Sequence, residues 1–273
     1  MTHVKLNDFR DKAVIITGGT KGIGLATGLS FAREGAHVYL THRWGSADED
    51  EIRKQFADAG AREPAIVEAD VGQDDDTQAL LELVSQDHDG VEVFVSNVCI
   101  VQPAMGVDSY KRRSLLKSLE YSAWPFVAYT QQIKKRFDRY PRYVIGVSSD
   151  GPDNYFAHYE FVALSKAVME TLCRYVAKDL QGEDIRLNIL RTRNVLTDAV
   201  EEVFGEFYKR FVGKYAGEMY FITPEEIGDT ILCMCSGLLD AMNGQVIMVD
   251  KGIAFADGLM HLMDRHEELG MTF

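Results

Sequence analysis

The sequence predicts a single α/β domain, in which a doubly wound parallel sheet of seven strands carries helices on both faces. Three observations predict it. Short apolar runs alternate with helical patterns along the chain, as strands and crossover helices do in a parallel sheet. The first apolar run leads through a glycine-rich turn into a helix. The 273 residues, 46% of them hydrophobic, supply the core of one such domain, 1–273.

Hydrophobic periodicity and end signals place the elements in order. Seven apolar runs predict the strands: 13–16, 37–41, 64–68, 92–95, 143–147, 186–190 and 245–249. The segments between them predict the helices: 24–34, 51–59, 75–87, 109–137, 160–179 and one that begins at Pro224. We expect Pro125 to kink or break the fourth helix, because proline lacks an amide donor. Thr223 is the predicted N-cap of the last helix.

Three glycines after the first strand predict a phosphate site. They lie in TGGTKGIG, residues 17–24. Gly18 allows the tight turn, Gly22 removes a Cβ that would face a ligand, and Gly24 lets helix and strand pack closely. Because amide groups at a helix N-terminus attract anions, the pyrophosphate of a dinucleotide fits here. An ordinary strand-to-helix turn is the alternative.

The pattern Thr-Gly-x-x-x-Gly-x-Gly at 17–24 resembles the cofactor fingerprint of the short-chain dehydrogenase/reductase superfamily. Later segments follow that family's order over nearly the whole chain. The resemblance implies a Rossmann-like fold and a nicotinamide cofactor, with an Asp-Val pair at 70–71 on its adenine side. It implies these cofactor-binding residues: Thr17, Gly18, Thr20, Lys21, Gly22, Ile23, Gly24, Arg43, Asp70, Val71, Asn97, Lys166 and Thr197.

The residues after the second strand favour NADP(H). An NAD site places a carboxylate about 20 positions past the glycines, whereas a basic residue there accommodates the 2′-phosphate of NADP. This chain has Arg43 there, no carboxylate until Asp48, and a second cation, Lys21, in the glycine turn. The pairing resembles NADP-using members of the family.

The resemblance implies Tyr159, Lys166 and Ser149 as catalytic residues. The family usually has Tyr-x-x-x-Lys, in which the lysine holds the nicotinamide ribose and lowers the pKa of the tyrosine, but Val162 stands in that tyrosine's position. Tyr159 lies seven residues before Lys166. On a helix this spacing keeps both on one face but lengthens their axial separation from about 6 Å to about 10.5 Å. It is similar to that of the enoyl-acyl-carrier-protein reductase branch.

The longer spacing favours reduction of a conjugated C=C bond. Hydride then reaches the β-carbon of an enoyl thioester, while charge develops on a carbonyl oxygen two bonds away that a more distant tyrosine can serve. We expect an NADPH-dependent reductase of enoyl thioesters or related conjugated carbonyls. One alternative is a ketoreductase of specialised, polyketide-like metabolism that uses Tyr155 or Tyr159 differently. Another is a non-catalytic NADP-binding sensor or scaffold.

Several residues depart from the family's usual site and motivate the sensor alternative. Cys99 ends a loop where Asn-Asn-Ala-Gly is common. Glu120 stands where many members place an active-site asparagine, so the proton relay is lost unless the carboxylate takes over. Arg193 replaces a glycine near the nicotinamide, where it could alter cofactor affinity, bind an anionic substrate group or face solvent. Ser148 is the second candidate for the catalytic serine.

The last third of the chain predicts the substrate side. Residues 198–222, rich in aromatic side chains, predict a lid for an acyl or polyketide-like substrate; aromatic packing between subunits is the alternative. Residues 253–273 form an extension that could cover a neighbouring subunit or its active site. The resemblance implies a homodimer or homotetramer, assembled through the helices 109–137 and 160–179.

The net charge and the cysteines limit which partners and which cellular compartment we expect. The net charge of −13 argues against nucleic-acid and anionic-membrane binding. Basic residues cluster at 111–117 and 134–142. Each cluster is either a solvent-exposed helix face or a docking site for an acidic carrier protein. The cysteines, without metal-ligand spacing, are expected to be buried, reduced thiols, and no metal site is predicted: Cys99, Cys173, Cys233 and Cys235. Without a signal peptide or membrane span, we expect a cytoplasmic protein.

Overall fold

The computed structural model describes residues 6–44, 47–102 and 104–271, and of 198–204 only the backbone. It confirms the predicted fold class: seven strands form one sheet in the order β3-β2-β1-β4-β5-β6-β7, and every neighbouring pair is parallel. The strands are β1 (Ala13–Ile16), β2 (His37–His42), β3 (Ala65–Glu68), β4 (Val91–Ser96), β5 (Tyr143–Ser149), β6 (Arg186–Thr192) and β7 (Gln245–Val249).

Helices connect the strands and continue past the last one. They are α1 (Gly22–Arg33), α2 (Glu49–Asp58), α3 (Asp74–Asp87), α4 (Arg112–Ser122), α5 (Pro125–Phe137), α6 (Glu160–Asp179), α7 (Asp198–Val212), α8 (Pro224–Met234) and α9 (Gly258–Asp264). In the described ranges, none of these helices combines the length and the apolar composition that crossing a bilayer requires.

Alternate residues of the strands pack into two hydrophobic cores, one on each face of the sheet. In β1, Val14 and Ile16 point into the core covered by α1, α2 and α8, whereas Ala13 and Ile15 point into the core covered by α3, α5 and α6. All four are at most 1% exposed. A strand buried on both faces has a continuous run of apolar residues, and this run is why β1 could be predicted from the sequence.

The strand order reverses between β1 and β4, and this position sets where a ligand can enter. β1 pairs with β2 on one side and with β4 on the other. The connections leave the two strands in opposite directions, so a crevice opens beyond their carboxyl ends. β5 and β6 run to Ser149 and Thr192, two residues further than predicted, and bring their last side chains to the same edge.

Two predicted helix ends are confirmed in detail. α4 ends at Ser122 and α5 begins at Pro125 as its first residue, so the predicted long helix is broken at the proline. Thr223 caps α8 through a capping box: its Oγ1 accepts from the amide of Glu226 over 3.2 Å, and the Glu226 carboxylate accepts from the amide of Thr223 over 2.9 Å.

The expectation of buried cysteines is wrong for two of the four. Cys173 and Cys235 are buried in the cores, but Cys99 and Cys233 are exposed. Cys99 lies in the loop after β4, and Cys233 lies on the outer face of α8. An apolar neighbourhood in sequence does not fix the side of the element on which a single side chain points.

The lid segment and the C-terminal extension lie against each other within the chain. α7 contains Gly205 in a left-handed conformation (φ 72°), which interrupts the helix. From the extension, His261 Nε2 contacts the carbonyl of Ala216 over 2.9 Å, and Arg265 donates to the carbonyl of Tyr215 over 3.0 Å. The extension therefore fixes the end of the predicted lid of its own chain.

Candidate active site

A cavity of about 490 Å³ lies at the carboxyl ends of the strands, where the sheet order reverses. Most of the residues predicted to bind cofactor or to act in catalysis line it. They are Gly18, Thr20, Lys21, Gly22, Ile23, Arg43, Asp70, Val71, Asn97, Ser149, Tyr159, Lys166 and Thr197. The structure thus brings together side chains that are up to 179 residues apart, from Gly18 to Thr197.

Thr17 and Gly24, also predicted to bind cofactor, lie behind the cavity wall. Thr17 is fully buried, and its hydroxyl lies 3.3 Å from the Val95 carbonyl and accepts from the amide of Asn97 over 3.1 Å. A Cβ on Gly24 would lie 2.3 Å from the carbonyl oxygen of Gly18. The Asn97 side chain donates to the carbonyls of Thr17 and Gly18. These residues hold the glycine turn in shape.

The glycine turn has the features that a phosphate group requires. Gly18 and Gly22 have φ angles of 62° and 53°, in the left-handed region that glycine adopts without strain. The first turn of α1 carries no acidic residue, whereas the first turns of α2 and α3 carry three each. Since an acidic side chain would compete for the helix amides, the first turn of α1 leaves its amides available to an external anion.

Arg43 forms one wall of the cavity on the adenine side. Its Nε lies 2.9 Å from Asp70 Oδ2, and its guanidinium lies 3.7 Å from the ring centroid of Trp44 and 4.9 Å from that of Tyr121. Tyr121 donates to the same carboxylate over 3.2 Å. A guanidinium held between two rings is oriented before any ligand arrives.

The three predicted catalytic residues meet at one end of the cavity. Tyr159 is the N-cap residue of α6, and its hydroxyl donates to Ser149 Oγ over 3.2 Å. Lys166 is 4% exposed and donates from Nζ to the carbonyl of Val147 over 2.7 Å. Val162, which stands in the family's usual tyrosine position, is 1% exposed and lies on the cavity wall. Tyr159 therefore brings a phenol next to Ser149, whereas residue 162 brings only an apolar side chain to the cavity.

The pKa of Tyr159 is shifted upward, against the expectation that Lys166 lowers it. Burial raises the pKa of this phenol well above its ordinary value, the neighbouring Cys99 and Asp150 raise it further, and the hydrogen bond with Ser149 opposes them. The hydroxyl is consequently protonated at neutral pH. In this state it can donate a hydrogen bond to an oxygen that gains negative charge.

The second candidates for serine and tyrosine have other roles. Ser148 donates to the buried carboxylate of Glu170 over 2.6 Å, and that carboxylate is ion-paired with Arg191. Ser148 also lines the cavity, but its hydroxyl is engaged in this buried polar network. Tyr155 is 84% exposed and is not part of the cavity wall. Of these two tyrosines, Tyr159 lines the cavity and Tyr155 does not.

Glu120 does not take over a proton relay, because its side chain is exposed and lies off the cavity. The next residue, Tyr121, faces the cavity instead. The rotation of α4 about its axis determines which of these two neighbours faces the cavity, and position along the chain does not report that rotation.

Two pairs of side chains at the site were not predicted. Arg193 Nε lies 3.2 Å from Asp150 Oδ2, and Asp150 is 3% exposed, so the two side chains form an ion pair in the cavity wall. This ion pair is none of the three roles considered for Arg193 from the sequence. Tyr208, from α7, donates to Asn194 over 2.7 Å and lines the cavity. Phe207 and Phe211 are exposed, and their rings lie 5.5 Å apart in a tilted arrangement. The aromatic pattern of the lid gave no signal for which of its rings would face inward.

Comparisons with known proteins agree on the family and differ on the reaction. A sequence model of the family described as enoyl-(acyl carrier protein) reductase matches residues 18–254. The enoyl-[acyl-carrier-protein] reductase [NADH] FabI of Aquifex aeolicus is 25% identical over 94% of this chain and 95% of its own. The 1-cyclohexenylcarbonyl-CoA reductase of Streptomyces collinus is 25% identical over 92% of this chain and 90% of its own.

The fold is also that of a solved ketone-binding complex. The structure of a 7α-hydroxysteroid dehydrogenase with NADH and 7-oxo glycochenodeoxycholic acid superposes with a TM-score of 0.78 over 89% of this chain and 94% of that one, at 22% identity. At this identity the likeness shows the fold alone. The reaction has to be argued from the residues of the cavity.

Proposed function

We propose a reductase function from one established premise: the chain belongs to the short-chain dehydrogenase/reductase superfamily, through the family described as enoyl-(acyl carrier protein) reductase. Within it, we propose that this oxidoreductase uses NADPH to reduce the C=C bond of an enoyl thioester or a related conjugated carbonyl. The position of the phenol supports this proposal more than any other observation. Tyr159 bonds Ser149 at the start of α6, and buried Val162 occupies the usual tyrosine position.

The position of the phenol decides which oxygen it serves. When a carbonyl is reduced, the carbon that accepts hydride carries the oxygen itself, so a phenol one helical turn from the lysine suits that reaction. In conjugate reduction the charged oxygen lies two bonds beyond the β-carbon. A phenol at the N-cap, nearly two turns from Lys166, matches the more distant oxygen.

The residues of the cavity fit a nicotinamide dinucleotide. The cofactor, when bound, supplies a hydride. The glycine turn and the N-terminus of α1 suit its pyrophosphate, and Lys166, fixed by the Val147 carbonyl, would hold the ribose next to the reacting ring. With substrate present, the Tyr159 hydroxyl turns its proton from Ser149 Oγ to the substrate carbonyl and donates to it as charge develops, while the Ser149 hydroxyl donates to the phenol oxygen. A proton at the α-carbon completes the reduction.

Arg43 and Lys21 support NADPH over NADH. Both line the cavity, and Arg43 is held by ring contacts in the position of the family's cofactor selector. Asp70 offsets part of its charge. The name of the similar Aquifex aeolicus enzyme specifies NADH, so this choice rests on the local residues of this chain, and direct comparison of the two cofactors has to test it.

The substrate and partners follow from the remaining surfaces. Cavity residues such as Val98, Ile100 and Phe156 are apolar, which suits an acyl chain. The basic helix positions 111–117 suit an acidic carrier protein that presents the thioester.

We further propose that the chain forms a homodimer or homotetramer. The contact would involve α4 and α6, where apolar side chains such as Leu116, Leu164 and Val168 are exposed.

The experiment is the loss of NADPH absorbance with a 2-enoyl thioester and the matching 3-ketoacyl thioester, measured side by side. Consumption with the enoyl compound alone supports the proposal. Consumption with the keto compound alone overturns it in favour of a ketoreductase. If NADPH binds but neither compound is reduced, the proposed reduction of enoyl thioesters is overturned, and a specialised substrate or a sensor function becomes the next hypothesis.

A further inference from the structure

Two histidines and one aspartate converge at the amino edge of the sheet, opposite the cavity. His37 is the first residue of β2, Asp87 is the last residue of α3, and His88 follows it. Each offers one ligand atom, and these atoms all lie within 4.8 Å of one another. His37 Nδ1 lies 2.8 Å from His88 Nε2 and 3.8 Å from Asp87 Oδ2. No motif revealed them, since His37 lies 50 residues before Asp87 and 51 before His88.

The two imidazole rings meet at a position that suits a cation. Each ring nitrogen has one in-plane site for a proton, a hydrogen bond or a metal. At His37 Nδ1 that site is approached by two groups, His88 Nε2 at 2.8 Å and the Tyr39 hydroxyl at 3.1 Å. One nitrogen cannot bond well to both. A single ion between the rings would use both nitrogens at once and leave the Tyr39 hydroxyl beside the site.

We propose that His37, Asp87 and His88 bind a divalent transition-metal ion of the zinc type. Two imidazoles and one carboxylate are a ligand set that zinc uses, with water in the fourth position. Zinc–nitrogen bonds of about 2.1 Å place tetrahedral nitrogens about 3.4 Å apart. The two rings therefore need to separate by less than an ångström. Mg²⁺ and Ca²⁺ prefer oxygen ligands, so a site with two imidazole nitrogens is expected to bind them weakly.

The surrounding elements support the site. His37 is buried, with its ring fixed between Tyr39 and His88. Asp87 is exposed, so its carboxylate can turn toward an ion without disturbing the core. Arg62 brings a positive charge to this region, but its guanidinium lies 3.7 Å from the carboxylate of Asp11, which offsets that charge.

An ion here would join the start of β2 to the end of α3. The cavity lies at the other end of the strands, and six residues of β2 span about 17–20 Å. We therefore expect metal binding to raise thermal stability and to leave reductase activity unchanged, so this inference stands independently of the proposed function.

The test uses untagged, metal-free protein titrated with Co²⁺, followed by visible absorption, and with Zn²⁺, followed by calorimetry. The wild-type chain is expected to bind one equivalent, with a Tm higher by about 5 °C in excess metal. His88→Ala and Asp87→Ala remove ligands and are expected to weaken binding more than tenfold. His266→Ala, which removes a histidine of the C-terminal extension, is the matched control and should bind as the wild type does.

Equal Co²⁺ affinity in the wild type and in His88→Ala would overturn the inference, as would the absence of a one-equivalent absorption band in the wild type. If His88→Ala does not fold, Asp87→Ala carries the comparison, because its side chain is exposed. A chelator that lowers Tm but leaves NADPH consumption unchanged is the expected companion result, and loss of activity on chelation would contradict the structural role.

Discussion

Tyr159 donates a hydrogen bond to Ser149 over 3.2 Å, and the donor lies just outside α6 whereas the acceptor ends β5. A strand end and a helix start, ten residues apart, thus hold one hydroxyl pair at the cavity. The phenol is protonated and largely enclosed, so it is positioned to stabilise negative charge on a substrate oxygen. The proposed chemistry depends on this pair.

Tyr159→Phe removes the hydroxyl and keeps the ring. We expect kcat for the enoyl substrate to fall about 10²–10³-fold, the usual effect of losing one positioned proton or hydrogen-bond donor, with NADPH affinity changed less than about threefold. Steady-state kinetics and fluorescence titration of NADPH measure the two quantities. Tyr155→Phe, which alters an 84% exposed tyrosine, is the matched control and should retain the wild-type rate.

The neutral phenol predicts how the rate depends on pH. Because burial raises the pKa of Tyr159, the donor form is fully present at neutral pH and is lost only above the ordinary tyrosine value of 10. We expect kcat to be independent of phenol ionisation between pH 7 and about 9. The folding stability that this shift represents declines only as the pH rises past 10. A kcat that depends on a Tyr159 ionisation near pH 7 would contradict the account.

Arg43→Ala tests the cofactor choice. If the guanidinium contacts the 2′-phosphate, KM for NADPH should rise about 10- to 100-fold, the effect of losing a charge-assisted hydrogen bond, while KM for NADH changes little. Arg53→Ala removes an arginine from the outer face of α2 and should leave both values unchanged. Equal effects on the two cofactors would assign Arg43 to packing against Trp44 and Tyr121.

The neighbouring serines of β5 provide a matched comparison. Ser149→Ala removes the partner of Tyr159 and is expected to lower kcat about 10- to 100-fold. Ser148→Ala removes a donor to buried Glu170, so it should lower the free energy of unfolding by about 1–2 kcal/mol and leave kcat within about threefold. Chemical denaturation and kinetics on both variants separate the roles, and a reversed pattern would exchange them.

Much of the fold and part of the site could be predicted because both depend on local signals. A strand buried on both faces is a continuous apolar run, and the glycine turn needs residues that tolerate φ angles of 53° and 62°. Since parallel strands end at one edge, side chains that follow different strands had to meet. Gly18, Asn97 and Ser149 line one cavity for this reason.

What could not be predicted depends on side-chain direction and on pairs distant in sequence. Tyr121 rather than Glu120 faces the cavity, because the rotation of α4 about its axis determines which of two neighbouring side chains points inward. Arg43 meets Asp70, and His37 meets His88, only once the sheet is assembled. The upward pKa shift of Tyr159 comes from burial, which spacing along the chain does not report.

The most direct measurement is the position of the label when deuterated NADPH reduces an α,β-unsaturated ketone, a compound that offers both bonds to the enzyme. The account predicts a saturated ketone with deuterium at the β-carbon, since Tyr159 serves the carbonyl oxygen while hydride arrives two bonds away. An allylic alcohol with deuterium on the carbinol carbon would contradict it.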